Sequence, residues 1–181
     1  MVLAATIAML EPVLALHLQS LGVGPGRVGL VFGIAAVATT ILHPIYGRLA
    51  DRWGARRMTL IGLILSACVL PLVGQTWSFE SAVALYALQG AALALVGTPS
   101  LAYMAEATSS AGIESFGVSY GLYNMAWGVG LLAGPATGGF LFERTSFASL
   151  ALIWAPGVVA ATALLRMASR PTGASTLANL S

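Results

Sequence analysis

The sequence has no lysine, one cysteine, and only six acids against eight arginines in 181 residues. Charged residues make up 8 % of the chain. A typical soluble domain carries about 25 %. That is too little charge to cover the outside of a water-soluble fold. The lone cysteine, Cys68, excludes an internal disulfide and a cysteine-based metal site. A net charge of +2, with no basic run interleaved with aromatics, sets nucleic-acid binding aside. No phosphate-binding loop, nucleophile–base triad or metal-ligand cluster is visible. An ATP-driven pump or a membrane hydrolase therefore has no support, and no enzyme activity, cofactor or metal is expected.

What is present is long apolar runs. Hydrophobic residues reach 58 % and the mean hydropathy is +0.89. A helical bilayer span takes about 20 mostly apolar residues. Six stretches qualify, roughly 1–20, 28–46, 58–77, 81–105, 115–142 and 145–165. Five contain no Asp, Glu, Lys or Arg, and the first holds only Glu11. A β-barrel would show short alternating segments, whereas these runs are continuous. The expected architecture is an all-α membrane protein: one six-helix transmembrane domain over 1–170 and a short polar tail over 171–181. The first run has no leading basic residue and an acid at its centre, so it reads as a retained span rather than a cleaved signal.

Arginine placement orients the spans. With the N-terminus in the cytoplasm, Arg48, Arg52, Arg56, Arg57, Arg166 and Arg170 fall on the cytoplasmic side. Only Arg27 and Arg144 fall outside. The positive-inside rule favours this topology, with both termini cytoplasmic. "GRLADR" at Gly47–Arg52 also returns as "GFLFER" at Gly139–Arg144. Three spans per half cross in opposite senses, so the chain reads as two inverted three-helix repeats, a pattern common in secondary transporters.

Two short runs carry the most information. "YGRLADRWGARR", Tyr46–Arg57, holds four of the arginines. Physically it reads as a tight cytoplasmic turn. Gly47 and Gly54 allow backbone shapes that other residues resist, and Asp51 can cap the helix that follows. The bland reading is an ordinary positive-inside loop. The second run joins Gly121, Gly130, Gly134, Pro135, Gly138 and Gly139. Pro135 removes a helix hydrogen bond and bends the chain. Gly130, Gly134 and Gly138 lie four apart on one face, where another backbone can approach. A generic packing stripe has the same spacing.

The pattern Gly47-x-Leu49-Ala50-Asp51-Arg52-x-Gly54-x-Arg56-Arg57 resembles the signature loop between the second and third helices of each half of the major facilitator superfamily. The resemblance implies a conformational latch at Gly47, Asp51, Arg52, Gly54, Arg56 and Arg57. The glycine–proline run resembles the motif of that family's proton-coupled antiporters, which lies in helix five. "AMLEPVLALHL" and "SYGLYNMAWGVGLLAGPATGGFL" resemble the seventh and eleventh helices of vesicular amine transporters and their bacterial drug-antiporter relatives. Gln89-Gly90 is present, but Tyr86 stands where an N-terminal half carries arginine. The chain is therefore similar to the C-terminal six-helix half of a twelve-helix fold. This implies a central cavity lined by helices one, two, four and five, with three and six facing lipid. It implies a half-length secondary transporter in a bacterial-type plasma membrane, exporting a small organic molecule against protons by alternating access. Its partners would be membrane lipid, a small-molecule substrate, and an N-terminal half or a second copy. The alternative is an inactive truncated fragment or an assembly partner, which the abrupt start inside a span suits.

Glu11 is the proton-coupling candidate. A charge near mid-bilayer costs at least about 2.5 kcal/mol and usually faces a bundle interior or a wet cavity. Incomplete insertion of the first ten residues would instead leave it near the surface. Gln89, Asn124, Tyr120, Tyr123 and Trp127 are the cavity and substrate candidates. These aromatics, with Tyr86 and Tyr103, suit an apolar or cationic ligand, or serve as packing anchors. His43 reads either as a proton shuttle or as a hydrogen-bonded structural histidine, and His17 as an outer-interface residue. Val158 is expected on the lipid face of the sixth span. The vesicular amine transporters carry acids where this chain has Ala94 and Asn124, which weakens an amine substrate and leaves Glu11 as the only acid within the spans.

Overall fold

Hydrocarbon satisfies no backbone hydrogen bonds, so each apolar run closes its own as a helix. In the computed structural model, which describes residues 1–110, 112 and 116–168, there are six helices and no strand among those residues. They are α1 Val2–Ser20, α2 Pro25–Trp53, α3 Ala55–Val73, α4 Phe79–Ser110, α5 Phe116–Phe142 and α6 Phe147–Ala168. All six are long and apolar enough to cross a membrane. Local chemistry starts them. Pro25 opens α2 without losing a useful N–H. Ser78 and Ser81 bond each other's backbone N–H groups at 3.2 and 2.9 Å at the head of α4. The Ser146 hydroxyl accepts from the Ser149 N–H at 3.2 Å at the head of α6. The 171–181 tail, Glu114 and Arg170 lie outside the described residues.

α2 and α4 run past both ends of the apolar stretches that mark them, while α3 stops at Val73, short of the expected end at 77. The second span ends not at Tyr46 but at Trp53, taking Arg48, Asp51 and Arg52 into the helix. The expected turn over Tyr46–Arg57 therefore shrinks to one residue. Gly54 alone breaks the helix, at φ +88°, and α3 begins at Ala55. Asp51 does not cap α3: no side-chain cap bond forms there, and Asp51 is exposed. The physical reason is that polar residues beyond the apolar stretch do not stop a helix. The stop is the residue that tolerates positive φ, and that is glycine.

Packing follows the inverted repeat in one pair of helices and departs from it in another, since α3 lies along α4 while α6 barely meets α1. α2 and α3 lie along α4, α5 lies along α1, and α6 lies along α3. Exchanging the two three-helix units turns the α2–α4 pair into the α5–α1 pair, as two inverted repeats require. Small residues set the close crossings. A side chain at Gly130 or Gly134 would run into the backbone of Met1 or Ala5, and one at Gly138 would come within 2.5 Å of Met9 Cγ. The glycine face of α5 is thus seated on α1, while Gly121 and Gly139 face open space. Gly62 brings α3 onto the Leu95–Val96 backbone, where an added Cβ would sit at 2.9 Å. Each helix also contains one internal proline: Pro12, Pro44, Pro71, Pro99, Pro135 and Pro156.

The two ends of the bundle are tied differently. At the arginine-rich end, Arg56 Nη2 donates to the Arg166 carbonyl at 3.4 Å, joining the start of α3 to the end of α6. At the other end, His17 Nε2 donates to the Thr76 carbonyl at 2.9 Å and its ring stacks on Phe147 at 4.7 Å. Val158 is not on the lipid face. It is 1 % exposed and belongs to one buried cluster with Leu3, Leu63 and Leu93, because α6 turns that side towards α1 and α3. Its neighbour Val159, 55 % exposed, faces outwards.

Gly134→Leu is expected to lower stability in detergent by at least the ~1–3 kcal/mol of an overpacked core, or to stop assembly. Val159→Leu should leave the thermal midpoint unchanged. Equal midpoints for the two variants would remove the α5–α1 crossing from the account.

Candidate functional site

Glu11, Ile7 and Leu3 recur every four residues on α1, which puts them on one face. That face, with α2, α4 and α5, encloses a cavity of about 290 Å³. Its wall includes Phe32, Thr39 and His43 from α2, Tyr86, Gly90 and Ala94 from α4, and Trp127 from α5. No residue of α3 or α6 lines it. Gly90 keeps the wall thin, since a Cβ there would meet Thr39 Cγ2 at 3.0 Å.

The first ten residues are not frayed. They run as helix into the bundle, and Met9 and Leu10 beside Glu11 are fully buried. Glu11 itself is exposed on the open side of the cavity. Its Oε1 accepts a hydrogen bond from the Tyr86 hydroxyl at 3.4 Å. The Tyr86 ring meets Phe32 edge-on, with centroids 5.2 Å apart. One tyrosine on α4 thus touches both α1 and α2. His43 Nδ1 shares a 2.7 Å hydrogen bond with Thr98 Oγ1 while its ring lines the cavity. One side chain is thus both hydrogen-bonded and on the cavity wall.

The other candidates divide. Trp127 is on the wall. Tyr123 stacks on it at 6.1 Å and Tyr120 on Tyr123 at 6.4 Å, each pair inclined by 24°. The three rings form a ladder up α5 that touches the cavity at one end only. Asn124 is exposed on α5 and does not line the cavity. Gln89 does not line it either. It is fully buried and turned to α3, where its Nε2 donates to Ser66 Oγ at 2.8 Å and its Oε1 has no partner among the described residues. The glycine motif supports α1 behind Glu11 rather than forming wall. The latch residues lie at the arginine-rich end, away from the cavity. Sequence reasoning missed Phe32 and Thr39, whereas Tyr86 was among the aromatics it offered for the lining. The available signal was the helical register of α2, which puts Phe32, Ala35, Thr39 and His43 on one face.

The family model for the Major Facilitator Superfamily matches residues 1–179. The chain belongs to this superfamily. Among its relatives, the MFS-type transporter SLC18B1 of Homo sapiens is 27 % identical over 84 % of this chain and 37 % of its own length. The Multi-drug resistance efflux pump PmrA homolog of Lactococcus lactis is 32 % identical over 82 % of this chain and 37 % of its own. Multidrug resistance protein 1 of Bacillus subtilis is 28 % identical over 76 % and 34 % respectively. The chain thus spans little more than a third of the length of the curated relatives it matches. As a superfamily member with six long apolar helices it is a multi-pass integral membrane protein.

Gln89→Met should be neutral or stabilising. It removes an orphaned oxygen, and Ser66 can turn its hydroxyl back to the carbonyl four residues earlier. Ser66→Ala should cost about 1–3 kcal/mol, because Gln89 then loses its partner. Thermal unfolding of both variants checks the asymmetry.

Proposed function

We propose that the chain forms half of a secondary transporter that exports a small organic molecule in exchange for protons by alternating access. The observation that carries this is a carboxyl, Glu11, on the wall of a membrane-depth cavity, hydrogen-bonded across a helix seam to Tyr86. A carboxyl that takes up a proton there accepts more weakly from Tyr86 and loosens its hold on α4, which couples protonation to helix position. Trp127 with Tyr86 and Phe32 offers aromatic faces to an apolar or cationic ligand. Gly47, Asp51, Arg52, Gly54, Arg56 and Arg57 serve as the latch. Relatives named as multidrug efflux proteins support efflux as the direction. The membrane is a bacterial-type plasma membrane, with the arginine-rich end in the cytoplasm.

A second six-helix half completes the cavity, as another part of the protein or as a second copy. Two apolar stripes support this reading. Leu30, Ile34, Val37 and Ile41 on α2 and Val118, Leu122, Met125 and Val129 on α5 are exposed at four-three-four spacing. The alternative, an assembly partner with no transport of its own, rests on the same open side.

In vesicles holding the active assembly, Glu11→Gln should abolish transport driven by a pH gradient while substrate binding or exchange persists. Transport at the wild-type rate, at matched expression, would return Glu11 to a structural role. Cysteine labelling in whole cells should find Arg52→Cys reachable only from the cytoplasm and Trp77→Cys from outside, and the reverse result would invert the topology.

A further inference from the structure

A second concavity lies on the opposite side of the bundle, between α3 and α6. Its volume is about 270 Å³, and it is lined by Ile64, Ala67 and Cys68 of α3 and by Val159, Thr162, Ala163 and Arg166 of α6. It shares no lining residue with the Glu11 cavity. Its rim faces outwards: Ile64 is 41 % exposed and Val159 55 %. In a membrane, that surface meets acyl chains.

The groove is apolar along its length and cationic at one end. Arg166 sits in the last turn of α6, at the arginine-rich end of the bundle. From Val159 to Arg166 is two turns, about 10 Å at 1.5 Å per residue. Arg56, held to the Arg166 carbonyl at 3.4 Å, and the exposed Arg57 add charge beside it. The Arg56 Nε is buried without a partner among the described residues. Neither α3 nor α6 carries an acid to neutralise these side chains. An apolar trough that ends in arginine at the level of the membrane surface fits one kind of molecule. It takes a hydrocarbon chain along the helices and an anionic headgroup at their ends.

We propose that the α3–α6 groove is a binding site for an anionic phospholipid, with its headgroup phosphate on Arg166 and Arg56 and one acyl chain along Ile64, Cys68, Val159 and Ala163. Bound lipid there ties α3 to α6 on the side away from the cavity. The Thr162 hydroxyl takes no part, since it donates to the Val158 carbonyl at 2.8 Å.

Native mass spectrometry tests the site on the whole protein, released from nanodiscs of phosphatidylcholine mixed with phosphatidylglycerol. Retained phosphatidylglycerol in excess of its share of the bilayer is expected. Arg166→Gln should weaken that retention about fivefold, the factor given by ~1 kcal/mol per basic side chain at an anionic surface. Ala163→Trp, an exposed position that fills the groove without touching the core, should abolish it. Leu164→Trp, beside the groove but not lining it, should leave it intact, and its unfolding midpoint controls for a bulky residue on α6. Equal retention of the two lipids overturns the proposal. So does loss with Arg166→Gln but not with Ala163→Trp, which would mean a surface charge effect outside the groove. Displacement by inorganic phosphate alone would also overturn it, by showing a plain anion site.

Discussion

A backbone in hydrocarbon has only itself to hydrogen-bond, and the rest of this structure depends on that constraint. It makes every apolar run a helix, sends the acids other than Glu11 among the described residues to helix ends or beyond, and leaves little except close packing to hold the helices together. Where two backbones meet, a glycine stands: Gly130, Gly134 and Gly138 against α1, Gly62 against α4, Gly74 against Ala148 and Ala151 of α6. Polar side chains within the bundle are paired rather than scattered. Gln89 bonds Ser66, Trp154 donates to Thr6 Oγ1 at 3.1 Å, and Tyr86 donates to Glu11.

The cavity is a product of this packing. α5 is seated on α1, and α2 is seated on α4, so the bundle presents two zipped pairs with a seam between them. Glu11 and Trp127 belong to one pair, Tyr86 and His43 to the other. The hydrogen bond from Tyr86 to Glu11 crosses that seam, and it involves the one acid within the spans. Each pair also carries two internal prolines, Pro12 and Pro135 in one and Pro44 and Pro99 in the other. Every such proline leaves one carbonyl without its helical donor, so these rods bend at less cost than an unbroken helix.

Much of this was legible in the sequence because bilayer physics writes itself in composition. Span number, the side on which arginines gather and the face of the α5 glycines all follow from one-dimensional patterns. The failures share a cause. Helix ends were read from where charge begins, but Arg48, Asp51 and Arg52 are good enough in a solvated helix for α2 to continue to Trp53. Val158 and Gln89 were placed by polarity, whereas their orientation depends on which neighbour each helix face meets. A polar residue in a span points to a polar partner, and for Gln89 that partner is Ser66 on α3 rather than the cavity. Tyr86 shows the converse. Its aromatic ring gave no hint of a partner, and only the register between α1 and α4 brings its hydroxyl to Glu11.

The one-residue link between α2 and α3 has a mechanical consequence. Gly54 receives a helix on one side and starts another on the other, with its own N–H bonded to the Ala50 carbonyl and its carbonyl bonded to the Met58 N–H. Two torsions are then the whole of the slack between a cavity helix and one that stands outside the cavity wall. A tilt of α2 cannot be absorbed by a compliant loop. It is delivered as torque to the first turn of α3, and through Arg56 to the end of α6, so the joint acts as a crank rather than a tether.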